Sequence, residues 1–265
     1  MQLRPYLLPM KPIEILPEHP ARDIDLNTEL DALALRYRNA SGLGMKVLGI
    51  LGMPVGGLLK TLPDDVQNGL GSATELALTQ AVKWADGSRA VVKDQPDWIN
   101  ASITAALGAA GGAGGVTSSL AELPITVTVL LRAIQGVAVQ YGFDPSHDSV
   151  RFDCVQVLAA NGPFEEDRGA DLAMLEQRAG LAVGGAKWIS AVIVPRLAPV
   201  LGQKLAAQMV PVIGAAAGAA TNFAYTSYYQ DIAHVHFGLR KLAVEADVDH
   251  ATLAADLVAR LGKKS

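Results

Sequence analysis

Residues Ile99 to Ala121 read INASITAALGAAGGAGGVTSSLA, a stretch without one charged side chain. As a helix it is long enough to cross roughly 30 Å of hydrocarbon. Its large apolar residues, however, are only Ile99, Ile103, Leu107, Val116 and Leu120; the others are Ala, Gly, Ser, Thr and one Asn, which gain little from entering lipid. The expectation is burial against protein more than a bare span. Glycine inside a helix costs about 1 kcal/mol relative to alanine, so Gly108, Gly111, Gly112, Gly114 and Gly115 need a compensating close contact. Gly108, Gly112, Gly115, Ser119 and Glu122 step by four, three, four and three, which is one helical stripe. Another helix, or an acyl chain, can approach closely along it.

A second uncharged run, Leu205 to Gln230, has the same texture, with Pro211 inside it and Gly214 and Gly218 at GxxxG spacing. Its stripe Gly214, Gly218, Asn222, Tyr225, Tyr229 turns from small to polar and aromatic. Outward from these two runs, Pro124 predicts a break before a helix over Ile125 to Tyr141, and Val150 to Ala160 predicts a short helix. A further helix is expected from Asp171 to about Val194, with Gly180, Gly184 and Gly185 at close-packing spacing and Pro195 and Pro199 punctuating the connection that follows.

Towards the N-terminus, Asp25 precedes Leu30, Leu33, Ala34 and Tyr37, an amphipathic helix with its cap. Gly42 to Lys60 is apolar and broken midway by Gly52, Pro54, Gly56 and Gly57, and could dip into an interface. Pro63, Asp64 and Asp65 mark a helix start leading to about Trp84. Asp231 to Arg260 is amphipathic, with Leu239, Leu242, Leu253 and Leu257. No set of alternating strands competes with these signals. The fold class is all-α: a multi-helix bundle with Gly/Ala-rich central apolar helices. A Pro-rich arm over residues 1–24 precedes a single helical domain over 25–262.

Of the 265 residues half are hydrophobic and 18% are charged, below the roughly 25% of ordinary soluble domains, and mean hydropathy is +0.26. The balance favours membrane contact. A net charge of -4 gives no basic footprint for phosphate backbones, so nucleic acid is not an expected partner. A single cysteine, Cys154, excludes an internal disulfide and a thiolate-only metal site, and reads as a small buried hydrophobe in a reducing compartment. Pro5, Pro9, Pro12, Pro17 and Pro20 interrupt any signal-peptide helix, so a cytoplasmic chain is expected, peripherally attached to membrane, with an integral form as the alternative.

No phosphate loop, dinucleotide fingerprint or nucleophile elbow is present, and Gly111 to Gly115 lacks both a preceding strand and a lysine. His234 and His236, two apart on a helix, point to different faces and read as surface residues rather than metal ligands; no metal and no cofactor is expected. His147 reads as a capping or surface residue. Glu122 and Arg132 are more informative, each being a lone charge in a long apolar neighbourhood. Such charges pair internally, reach water, or meet a polar head group. On the functional reading Arg132 holds an anionic phosphate or carboxylate, while Glu122, Asn222 and Tyr228 complete a polar mouth above an apolar cleft. Tyr225, Tyr228 and Tyr229 suit an interfacial belt or equally helix packing.

The run Leu107 to Gly115, then Leu120-Ala121-Glu122-Leu123-Pro124, Leu131-Arg132-Ala133-Ile134 and Val139 to Asp144, resembles the EcsC family. The likeness continues in Val210 to Gly218, Asn222 and Ala233 to Arg240, and covers residues 30 to 245. The resemblance implies a bacterial protein associated with an ABC transporter and transfers no enzymatic mechanism. A looser likeness to Gly/Ala-rich senescence domains, which bind lipid, points the same way by analogy. The expected function is non-enzymatic: a lipid- or membrane-associating protein that binds an acyl chain or bilayer along Gly108, Gly112, Gly115, Gly214 and Gly218. The alternatives are a scaffold that modulates a transporter, and a lipid hydrolase using residues such as Glu122 and His147. Oligomeric state is open.

Overall fold

The computed structural model describes residues 25–51, 55–89, 97, 116–163, 189–208 and 214–262. The Pro-rich arm, the stretch from Ile99 to Gly115 with Gly108, Gly112 and Gly115, and the expected helix from Asp171 up to Trp188 lie outside them. Among the described residues there is no strand, and the fold is all-α.

Helix α1 (Leu26–Asn39) starts where the Asp25 carboxylate accepts from the backbone N–H of Asn27 (3.0 Å) and Thr28 (3.3 Å), satisfying two of the first turn's orphan donors. It buries the expected Leu30, Leu33, Ala34 and Tyr37. The glycine-broken run forms α2 (Gly42–Leu51) and a 3-10 helix (Val55–Thr61), and its Val47 and Leu58 are core residues. Helix α3 (Asp64–Arg89) has Asp64 and Asp65 at its positive dipole end and buries Leu70, Ala77, Leu78, Ala81 and Ala85.

Helix α4 (Val116–Gln140) corrects the expected break, because it runs straight through Pro124. Proline there cannot donate to the carbonyl of Leu120. Leu123 and Val127, wholly buried on either side of Pro124, pin both halves of the helix to the core. Thr128 Oγ1 donates to the Pro124 carbonyl at 2.6 Å. The other end is a Schellman stop: Phe143 N–H donates to Ala138 O (3.0 Å), Gly142 N–H to Val139 O (2.9 Å), and Gly142 takes φ 84°, which glycine adopts without strain.

Helix α5 (Asp148–Val157) follows, and a π turn (Ile189–Ile193) leads into α6 (Val194–Gln208). Here too proline misleads: Pro195 sits in the first turn of α6, where its missing N–H is no loss, and Pro199 lies within it. Helix α7 (Gly214–Glu245) joins the second Gly/Ala-rich run from Gly214 on to the first half of the amphipathic segment after it, and α8 (His250–Gly262) follows beyond Asp247, whose φ is 52°.

Helices α4 and α7 are the central pair. Helix α7 buries Tyr225, Tyr228, Tyr229, Ile232, Val235 and Phe237, and packs on α1, α2, α4, α5, α6 and α8. Helix α4 packs along α3 and buries Leu130, Leu131, Ile134 and Val137. Directions follow from shared neighbours. Gly202 of α6 rests on Leu70, early in α3, and Lys204 of α6 lies in the field of Glu122, early in α4; Asp97, eight residues past α3, bonds Gln140 at the end of α4. Helices α3 and α4 therefore run in the same direction. Helices α6 and α7 run oppositely, because Tyr225 bonds Val200. Parallel helices in that contact would leave Gln208 and Gly214 about 28 Å apart, beyond the roughly 22 Å that six residues can span.

Among the described residues, close approach is seen at Gly44, Gly202 and Gly238. A Cβ on Gly44 would strike the Pro163 backbone; one on Gly202 would lie 2.6 Å from both Leu59 Cδ2 and Leu70 Cδ2, and one on Gly238 2.8 Å from Leu33 Cδ2.

Candidate functional site

Of the site residues expected from sequence, those the structure describes lie on α4 and α7. Gly108, Gly112 and Gly115 are outside the described residues. Gly214 opens α7 and Gly218 is buried one turn later, with Asn222 buried one turn beyond that. Glu122 is half-buried in the second turn of α4. Arg132 is ten residues further along the same helix, about 15 Å away, half-buried and engaged in contacts of its own.

Tyr228 is fully buried and lies off the face that carries Gly218 and Asn222. The tyrosines are core clamps: Tyr225 OH donates to Val200 O at 2.9 Å, Tyr229 OH reaches Leu158 O and Ala160 O at 3.3 Å, and Tyr228 meets Tyr229 edge-on at 5.3 Å. Helix packing, not an interfacial belt, explains them. His147, at the N-cap of α5, makes no side-chain cap bond, and it follows the end of α4 while Glu122 is near that helix's start. Those two residues form no common constellation.

The charge of Glu122 is felt at Lys204. Lysine rarely buries completely, yet Lys204 is 3% exposed, between the apolar Leu201 and Leu205 of α6. Burial pulls its ammonium down to about 8, and the Glu122 carboxylate only partly offsets that loss of hydration. The two lie beyond salt-bridge reach, and among the described residues no hydrogen bond ties the ammonium. On the antiparallel α7, one turn before Tyr225, stands Thr221. Thr221 is fully buried, and its Oγ1 has no partner among the described residues. Gly218 lies one further step along that face. The sequence reading missed Lys204, although a lone lysine before the uncharged run from Leu205 was a signal.

A second polar cluster lies at the far end of α4. Asp97 accepts from Gln140 Nε2 (2.8 Å) and lies 2.6 Å from His234 Nε2; His234 Nδ1 is 3.2 Å from Tyr141 OH; and Gln230 Nε2 donates to the Asp97 carbonyl (3.1 Å). Arg36 and Asp231 pair at its rim at 3.2 Å. Burial raises the Asp97 carboxyl, but hydrogen bonds from His234 and Gln140 outweigh it and hold the group below its ordinary value. Burial raises Tyr141, against the lowering pull of Arg36, and raises Asp231. Both imidazole nitrogens of His234 are committed, so the cluster clamps residue 97 onto α4 and α7.

His236, on another face of α7, lies 3.6 Å from Asp153, which pairs with Arg240 in the core; the Arg240 guanidinium covers Phe143 at 4.4 Å. The surface expectation for both histidines is therefore corrected: each serves a separate buried cluster, the consequence of their i, i+2 spacing. Cys154 is buried, as expected. Among the described residues no group of three His, Cys, Asp or Glu side chains converges.

Towards solvent, α3 and α4 turn large apolar side chains outward: Leu76 is 70% exposed, Trp84 45% and Ile125 50%. Glu122–Gln140 is long and apolar enough to cross a membrane, and 56% of it is buried inside the protein.

The chain matches the model of the EcsC protein family over residues 94–242, which hold Asp97, Glu122, Lys204, Thr221 and His234. The match begins later than the likeness read from residue 30. No curated protein and no solved structure matches the chain.

Proposed function

The chain belongs to the EcsC family, and on that premise we propose that it is a non-enzymatic, lipid-associating helical protein that works peripherally at the cytoplasmic face of a membrane. The observation that carries this reading is the outward apolar set on α3 and α4. Leu76, Trp84 and Ile125 face water on the two helices that pack along one another, with Val139 exposed at the end of α4. Single exposed leucines are ordinary; a leucine, an isoleucine and a tryptophan presented by one helix pair suit shallow insertion at a headgroup boundary. Indole favours that boundary, with an apolar ring and one N–H donor. The deep burial of most of α4 fits a peripheral attachment, in which the bundle stays folded while its surface residues enter lipid.

Trp84 provides its own probe. In a Trp98→Phe, Trp188→Phe background its emission should move to shorter wavelength on adding phosphatidylethanolamine/phosphatidylglycerol vesicles, and iodide should quench it less. An unchanged spectrum together with unchanged quenching would remove this face from the proposal. A transporter-modulating interaction is the competing reading, and it is favoured if the shift requires transporter-containing membranes rather than pure lipid.

A further inference from the structure

Helices α3 and α4 turn the same succession of side chains towards water. On α3 the exposed Glu75 and Leu76 are followed by Lys83, also exposed and seven residues after Leu76, and by Trp84. On α4 the half-buried Glu122 and the exposed Ile125 are followed by Arg132, half-buried and seven residues after Ile125. Two turns return a side chain to the same face, so each helix shows carboxylate, apolar residue and cation in that order, the cation about 10 Å past the apolar residue. The two helices pack along one another and run in the same direction, so both rows have the same polarity. Over the whole of α3, Asp64, Asp65 and Glu75 precede the midpoint, while Lys83, Asp86 and Arg89 follow it. The early end of the pair is acidic and the late end is basic.

Helix dipoles do not account for these cations. The dipole acts within the last turn, whereas Lys83 stands six residues before the end of α3 and Arg132 eight before the end of α4. Asp97 and Asp231, carboxylates at the far end of α4, are bonded there to His234 and Arg36. The chain carries a net charge of -4, so an anionic surface repels it as a whole and favours only a side whose own charge is positive. At the late end of the α3–α4 face that positive charge stands beside an exposed indole. An anionic bilayer is the complement of both, offering negative headgroups to the cations and an apolar boundary to the ring.

We propose that the α3–α4 face docks on an anionic bilayer with its late end leading: Lys83 meets the headgroup phosphates, Arg132 adds its field, Trp84 enters beside them, and Leu76 enters less deeply. The lysine stem lies along apolar surface while its ammonium stays at the phosphates. Glu75 and Glu122 oppose flat docking, because a face laid down evenly would bring both carboxylates to the same negative surface. The proposal rests on the lipid-association reading and adds to it the class of lipid and the tilt.

Flotation of the full-length chain with vesicles of phosphatidylcholine alone, and of equimolar phosphatidylcholine and phosphatidylglycerol, tests the lipid class. Phosphatidylglycerol should strengthen binding by about tenfold or more, the combined worth of two cations at such a surface. Raising salt from about 0.1 M to about 1 M shortens electrostatic reach from about 10 Å to about 3 Å and should remove that gain. Lys83→Gln should weaken binding to the anionic vesicles about fivefold and leave binding to phosphatidylcholine alone unchanged, while Lys83→Arg keeps wild-type affinity. The tilt is read with two single-tryptophan chains, both carrying Trp98→Phe and Trp188→Phe: one keeps Trp84, the other carries Trp84→Phe and Leu76→Trp. Brominated lipid should quench the indole at position 84 more than the one at position 76. Equal binding to both kinds of vesicle, binding indifferent to Lys83→Gln, or quenching at position 76 equal to or stronger than at 84 overturns the proposal and leaves lipid association standing. A chain that floats with neither kind of vesicle loses the lipid-association reading itself.

Discussion

Replacing Lys204 with methionine should make the ligand-free protein more stable, which is the reverse of most core substitutions. Methionine keeps the length of the stem and removes the charge. In the folded chain the ammonium is held at about 8, against 10.5 for a free lysine. That difference corresponds to about 3 kcal/mol of penalty at neutral pH. The sign follows from proton counts: between pH 8 and 10.5 the unfolded chain binds a proton that the folded chain has released, so wild-type stability rises with pH across that window. Below pH 8 the penalty is present in full. Lys204→Met lacks the whole effect. Urea unfolding followed by far-UV circular dichroism should show the variant about 3 kcal/mol more stable at pH 7, a gain of roughly 6–12 °C in Tm, with the gap closing above pH 8. A variant less stable at pH 7, or a gap constant from pH 7 to 10, would refute the argument that burial penalises the charge of Lys204.

Three other perturbations follow from the same geometry. Removing the guanidinium in Arg240→Met leaves Asp153 buried beside it without its main partner, and should cost about 3–5 kcal/mol in urea unfolding; a cost below 1 kcal/mol contradicts the core ion pair. His234→Phe takes away the bond that depresses Asp97, so the Asp97 carboxyl should titrate higher by NMR; an unmoved titration would show that the 2.6 Å contact is not what holds it down. Gly44→Ala drives a methyl into the Pro163 backbone and should destabilise, whereas Gly49→Ala, on the same helix with open space around it, should stabilise by about 1 kcal/mol; equal effects in thermal melts contradict the close approach of α2 and Pro163.

The helices were legible wherever apolar period and caps agreed. Asp25 with Leu30, Leu33, Ala34 and Tyr37 gives α1 at once, and Pro63-Asp64-Asp65 gives the start of α3. Proline was where local reading failed. Pro124 and Pro199 sit inside helices that tertiary packing holds together. Propensity is a local quantity and burial is not, so Leu123 and Val127 outvote Pro124.

The candidate site was legible in part. Glu122 as a lone charge in an apolar run was visible, but Lys204, on which its charge acts, is 82 residues away on another helix. His234 and Asp97 stayed hidden for the same reason: their pairing needs the far ends of α4 and α7 to meet near residue 97. The i, i+2 spacing of His234 and His236 correctly separated them, yet it could not say that both faces of α7 were covered.

Density flotation with phosphatidylethanolamine/phosphatidylglycerol vesicles, comparing wild type with a Leu76→Asp, Trp84→Asp double variant, tests the central claim most directly. Both positions are exposed, so the variant should keep its fold and its circular dichroism. The account predicts that wild type rises with the vesicles and is released by alkaline carbonate, as a peripheral protein is, while the variant stays in the dense fraction. Wild type left in the dense fraction, or a variant that floats equally well, would contradict it.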